Sequence, residues 1–121
     1  MTRATYESVR SISLEAGADF STTGQNRFGT VGSDGKVELA ALDAVADGVI
    51  LNDPLENNAV EFGIGGVVPL VVGTGGLTAG QLVKSGANGT AVLRDGTTPI
   101  LGRALETGVA GAVIPVLLYH G

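Results

Sequence analysis

The chain has no cysteine and no tryptophan, a single histidine, three phenylalanines and two tyrosines in 121 residues. Without cysteine there can be no disulfide, no thiolate metal centre and no thiol nucleophile, and redox logic leaves the compartment open. One histidine rules out a multi-histidine zinc site, and a histidine-centred triad would have to rest on His120, next to the last residue of the sequence. So few aromatics give sugars no stacking platform and leave the core to Val, Leu, Ile and Ala. Bases are scarce too: Lys+Arg number 7 against 12 Asp+Glu, a net charge of −5. A chain this acidic releases few counterions from a phosphate backbone and has little attraction for an anionic membrane, so neither nucleic acid nor membrane is an expected partner. The imbalance is local, because residues 1–60 carry nine acids and four bases while the remainder carries three of each.

Also missing is any uninterrupted apolar run of membrane-spanning length. The uncharged stretch Phe62 to Val83 is broken by seven glycines and Pro69, which reads as β-structure. The opening MTRATYESVR lacks the apolar centre of a signal peptide, so cytoplasmic synthesis without export is expected. Residues 1–10 are polar and patternless and read as a flexible arm. Residues 11–121 read as one β-rich domain, of a size that buries roughly two-thirds of the extended chain's surface.

What the chain has in abundance is glycine, 20 residues, spaced as turn punctuation. Asp34-Gly35 in FGTVGSDGKVELA and Asn88-Gly89 in QLVKSGANGTAVLR each sit between two strand-like arms and tolerate the positive φ of a tight hairpin. Asp95-Gly96 closes the second arm. Further short apolar runs occur at 47–51, 59–72, 99–106 and 111–120. Only 37–46, rich in Ala and Leu, has the period of a short helix. The expected class is all-β, a small barrel or sandwich of short antiparallel strands with glycine-rich hairpins and at most that one helix. At an offset of 53, Leu51, Asp53, Ala59 and Val60 fall on Ala104, Glu106, Ala112 and Val113, a faint echo of strand, acidic loop and strand.

The search for chemistry ends without a constellation. In GTGGLTAGQLVKS, Gly75 and Gly80 have phosphate-loop spacing, but Gln81 stands where the lysine belongs and Lys84 comes three residues late. The pairs Gly63/Gly65 and Gly73/Gly75 are followed by Val68 and Thr78 where a dinucleotide fingerprint needs glycine. The segment therefore reads as a turn into a strand, with Lys84 on its solvent side. Asp43, Asp47, Asp53 and Glu56 lack calcium-loop spacing and read as solvated turns. Arg94 and Arg103 read as surface ion-pair partners of Asp95 and Glu106. No catalytic, cofactor or metal site is expected, and the chain does not read as an enzyme.

Two strands stand apart. In VVPLVV (67–72) and AVIPVLLYH (112–120) both parities are apolar, so each must be covered on both faces. Each also holds a proline, Pro69 or Pro115, which favours a sheet edge. An apolar edge invites aggregation unless it is covered, and a sister subunit is the expected cover. The predicted subunit interface is Val68, Leu70, Val72, Val113, Pro115, Leu117 and Tyr119.

From Ser11 to Tyr119 the order and spacing of RFGTV, DGKVELA, ADGVILNDP, GGVVPLVVGTGGLTAGQLVKSGANGTAV and ILGRALETGVAGAVIPVLL resembles the small capsid decoration, or cement, proteins of tailed bacteriophages. LTAGQLVKSGANG and ILGRALET carry most of the likeness. The resemblance implies a homotrimer on the outer surface of the assembled virion head. There it would stabilise the capsid by bridging neighbouring major capsid protein subunits, with the arm residues Arg3, Tyr6 and Arg10 available for capsid contact. The alternative is a phage fibre or host-surface carbohydrate-binding module.

Overall fold

The two Asx-Gly dipeptides make hairpins, as their chemistry predicts. In the computed structural model, which describes residues 9–119, Gly35 and Gly89 have φ of 80° and 74°. Only glycine takes that conformation without a Cβ penalty. Asp34 Oδ1 accepts the Lys36 N–H at 3.0 Å and steadies the first turn. The second turn is tightened into a 3-10 segment, Ala87–Gly89.

These hairpins organise ten strands among the described residues. They are β1 (Arg10–Ala16), β2 (Arg27–Val31), β3 (Lys36–Leu39), β4 (Gly48–Ile50), β5 (Ala59–Gly65), β6 (Val67–Val71), β7 (Leu82–Ser85), β8 (Ala91–Leu93), β9 (Gly102–Ala104) and β10 (Val113–Leu118). The first five close into a barrel in the order β1-β3-β2-β4-β5, and the second five form a sheet in the order β6-β10-β9-β7-β8. The protein is all-β.

The two halves are the same structure twice. Phe28↔Val49 in the first half becomes Leu82↔Arg103 in the second, 54 residues on. By the same offset Gly29↔Leu39 becomes Val83↔Leu93 and Val49↔Gly63 becomes Arg103↔Leu117. The first strand is offset by 56, so that Ser13↔Glu61 becomes Pro69↔Pro115. The parallel pair Ala16↔Val37 likewise becomes the bridge Val72↔Ala91, which brings β6 round towards β8. Loop contacts recur as well, with the offset widening to 57 between Phe20 and Leu77. Asn57 N–H donates to Ala16 C=O at 2.8 Å and Gly111 N–H to Val72 C=O at 2.8 Å; Phe20 N–H donates to Pro54 C=O and Leu77 N–H to Gly108 C=O, both at 2.9 Å.

The interiors correspond as well. Ala16, Phe20, Val37, Ile50, Val60 and Phe62 fill the first barrel. Their counterparts Val72, Leu77, Ala91, Ala104, Ile114 and Val116 are buried in the second half, where smaller aliphatics replace the aromatic rings. The second cluster also takes in Phe28, Ala40 and Val49 from the outer side of the first barrel, and this shared cluster joins the halves.

Several expectations are corrected. The echo is a repeat of a whole five-stranded unit at an offset of 54, with the offset of 53 one residue short. Residues 37–46 form no helix: β3 ends at Leu39, Asp43 has φ of 64°, and Leu42 and Val45 are exposed while Val37 and Ala40 are buried in separate clusters. The run 59–72 is two strands, split at Gly66 with φ of 83°. Pro69 lies on an edge strand, whereas Pro115 lies on β10, which has neighbours on both sides. The β10 position tolerates proline because the Pro115 carbonyl accepts the Leu105 N–H, just past the end of β9. Its missing donor would point the same way, where the ladder has already stopped.

Candidate interaction surfaces

The proline strands have one inward and one outward face. Val68, Leu70 and Val72 point inward and are at most 1% exposed within a single subunit. They belong to the shared core and are corrected as interface residues. Strand parity alone could not have told the two faces apart, since both are apolar. On the outward face the cross-strand pairs are Val67↔Leu117, Pro69↔Pro115 and Val71↔Val113. Val113, Leu117 and Tyr119 are exposed and Pro115 is half-buried. A shallow apolar cleft of about 370 Å³ runs over Val67, Pro69, Val113 and Pro115.

The repeat supplies an internal comparison for this face. The equivalent outward pairs in the first half are Ser11↔Gly63, Ser13↔Glu61 and Glu15↔Ala59. The same backbone thus carries serine and glutamate there, with Ser11 Oγ 3.5 Å from Glu61 Oε2. A fold that accepts polar residues at these positions once does not need valine, proline and leucine there for its own sake. The apolar set therefore stands out against its polar counterpart on the same backbone. Tyr119 and Arg103 border it: Arg103 Nε donates to the Tyr119 hydroxyl oxygen at 2.9 Å and Nη1 to the Gly80 carbonyl at 2.7 Å.

The largest concavity is an open groove of about 920 Å³ between the 73–78 turn, the 3-10 segment and the 108–110 loop. Its charged floor is Lys84, whose Nζ lies 2.7 Å from both Asp43 and Asp95. The side chain is only 12% exposed, so Lys84 is not on the solvent side as expected. Hydrogen bonds first to Asp43 and then to Asp95 raise its pKa above the usual lysine value, and the same bond from Lys84 holds the Asp95 carboxyl below the usual carboxylate range. With its ammonium engaged by two carboxylates, Lys84 serves to tie the 41–44 turn to β7 and the 94–98 turn. Arg94 bonds the Thr98 carbonyl at 2.9 Å, leaving Asp95 to Lys84.

The remaining sequence-predicted residues are scattered. Asp47 accepts the Val31 N–H at 2.8 Å, while Asp53 and Glu56 sit exposed on the β4–β5 connection. Asp19 is held below the usual carboxylate range by hydrogen bonds from Ser21. Arg10 opens β1, opposite Gly65, and does not belong to an arm. Arg3 and Tyr6 lie outside the described residues. Among the described residues no group of three or more His, Cys, Asp or Glu could hold a metal ion, and no helix is long and apolar enough to cross a membrane. The sequence reading passed over Ile12, 45% exposed although its parity points it inward. Its counterpart is the buried Val68, at the offset of 56 that holds for the first strand; the GSDG (32–35) and GANG (86–89) turns align at 54 and would have paired Ile12 with Gly66.

The class these features define is an all-β fold of two repeated halves, a closed barrel and a five-stranded sheet, with an apolar flank. No protein-family profile and no curated protein matches the chain. Among solved structures it is similar to the head fiber gp8.5 N base of bacteriophage phi29. The TM-score is 0.74 at 19% sequence identity, over 92% of this chain and 94% of that one. The two share a fold along nearly their whole lengths.

Proposed function

We propose that this protein is a structural component of a tailed-phage particle. It binds the outer surface of the assembled head and stabilises it by bridging neighbouring major capsid protein subunits. The observation that carries the reading is the fold shared from end to end with a phage head fiber base. The resemblance of LTAGQLVKSGANG and ILGRALET to capsid decoration proteins points the same way. The protein acts as a homotrimer, in which Val113, Pro115, Leu117 and Tyr119 are covered by sister chains. A trimer on the shell makes several contacts at once, and each contact after the first is effectively intramolecular, so weak individual bonds add to a firm hold. The role is mechanical and requires no catalytic group.

Purified protein mixed with expanded, undecorated heads should co-sediment with them and raise the temperature at which the shells disrupt. Failure to pellet with shells at any salt concentration would remove the proposal.

A second reading, a base that carries a fibre, is favoured by the name of the same structural neighbour. Carbohydrate binding is the less favoured form of that reading. Phe20, Phe28 and Phe62 are all buried, which leaves Tyr119 as the one aromatic ring on the surface of the described residues. A glycan array giving a specific signal would reverse this order.

A further inference from the structure

Within one chain the two halves are joined asymmetrically. The first half contributes the outer side of β2 and β4, with Phe28, Ala40 and Val49 in the shared core and Ala46 packed against it. The second half contributes Val68 and Leu101, with Leu118 packed against them. A crevice of about 30 Å³ at this joint is lined by Phe28, Ala46, Asp47 and Gly48 from one side and Leu101, Leu118 and Tyr119 from the other. A side chain placed on Gly63 would touch Val68.

Because the halves are repeats, each joint surface has an unused counterpart. The counterpart of Phe28, Ala46, Val49 and Gly63 is Leu82, Ile100, Arg103 and Leu117, on the outside of the second half. Ile100 and Leu117 are both 38% exposed. The counterpart of Val68, Leu101 and Leu118 is Ile12, Asp47 and Ile64, on the first half. Ile12 is the telling residue. It points the same way as Val68, yet Val68 is covered by the first half of its own chain and nothing in the described residues covers Ile12.

We infer that copies of this chain join head to tail through the same two faces that join its halves. Leu82, Ile100 and Leu117 of one copy cover Ile12 and Ile64 of the next, and Arg103 is brought beside Asp47. Charge complementarity supports a second copy as the occupant. Where the internal joint has Val49 and Leu101, the free faces carry a cation on one side and an anion on the other. Leu117 in place of Gly63 makes the joint between copies wider than the one within the chain. A contact between two different surfaces closes into a ring when its rotation permits, and a ring leaves neither face exposed. This deepens the trimer reading above and rests on it, since it names the faces and their polarity.

The test uses two variants of the full chain, Ile12→Asp and Leu117→Asp, each spoiling one face only. Both should keep the β-rich circular dichroism of the wild type and should fall by light scattering to the mass of one chain. Mixed one to one, they should give a dimer and nothing larger, because each brings one intact face. If Leu117→Asp fails to fold, Ile100→Asp takes its place. Overturning results are a wild type that is monomeric at micromolar concentration, a folded variant that keeps the wild-type mass, or a mixture that stays monomeric. Co-sedimentation with heads is read separately. A monomer that pellets with shells sinks this inference and spares the capsid reading, and a ring that ignores shells does the reverse.

Discussion

Gly35 and Gly89 occupy the same turn position in the two halves, yet they are not equally replaceable. Both have positive φ, which costs a residue with a Cβ on the order of 1–2 kcal/mol. A Cβ at Gly35 meets open space, whereas one at Gly89 runs into the Phe28 backbone and the Arg27 side chain. Gly35→Ala should therefore cost about 1 kcal/mol in urea unfolding, and Gly89→Ala clearly more. Equal costs would contradict the packing described for the joint between the halves. Phe62 fills the first barrel, and Phe62→Ala should cost about 3–5 kcal/mol by the same measurement. The Lys84–Asp95 pair contributes to the pH response. Asp95 has its folded pKa depressed, so its contribution is present above the unfolded carboxylate pKa and is lost as pH falls through the lower folded one. Lys84 has its pKa raised, so its contribution is present below the unfolded lysine pKa and is lost as pH rises through the higher folded one. Thermal melts of Lys84→Met should lie flatter than the wild type below about pH 4. Added salt should narrow the difference, since both carboxylates are largely open to solvent.

At the scale of elements, the outward pairs of β6 and β10 allow a test of what the fold itself needs. Replacing Pro69 with Ser and Pro115 with Glu installs the pair that Ser13 and Glu61 already form in the first half. The double variant should keep its β-rich circular dichroism and melt cooperatively. Loss of the fold would show that the apolar pairs serve the subunit itself. The same strands show where sequence reasoning reaches its limit. The hairpins at Asp34-Gly35 and Asn88-Gly89 were legible because their backbone chemistry is local. The inward face of 67–72 was not, because alternation carries no information when every residue is apolar. Composition misled at 37–46, where Ala and Leu favour a helix but the hydrogen bonds of Asp43 N–H to Ser85 C=O and of Ser85 Oγ to Ala41 C=O hold a turn. The repeat stayed faint because its offset changes by two residues between β1 and β2, so no single shift aligns both halves. Few residues coincide in any case, chiefly Leu14 with Leu70, Gly32 with Gly86, Gly35 with Gly89, Leu39 with Leu93, Gly48 with Gly102 and Leu51 with Leu105.

At the scale of the molecule, acidity, two repeated β halves and an apolar flank fit a building unit. The first half carries polar outward pairs, and the second carries apolar ones at the same positions, the face that the proposed trimer would cover. The all-β class was readable from turn spacing and β-branched runs, but the joint between halves was not, because it depends on which outer residues meet in space. Decoration of a shell is the central claim, and a residue-resolution cryo-EM map of expanded heads incubated with the purified protein tests it most directly. The account predicts density for the barrel and its joined five-stranded sheet on the outer surface where neighbouring capsid subunits meet, with the β6–β10 outward face turned towards sister chains. Shells that remain bare under saturating protein would contradict it.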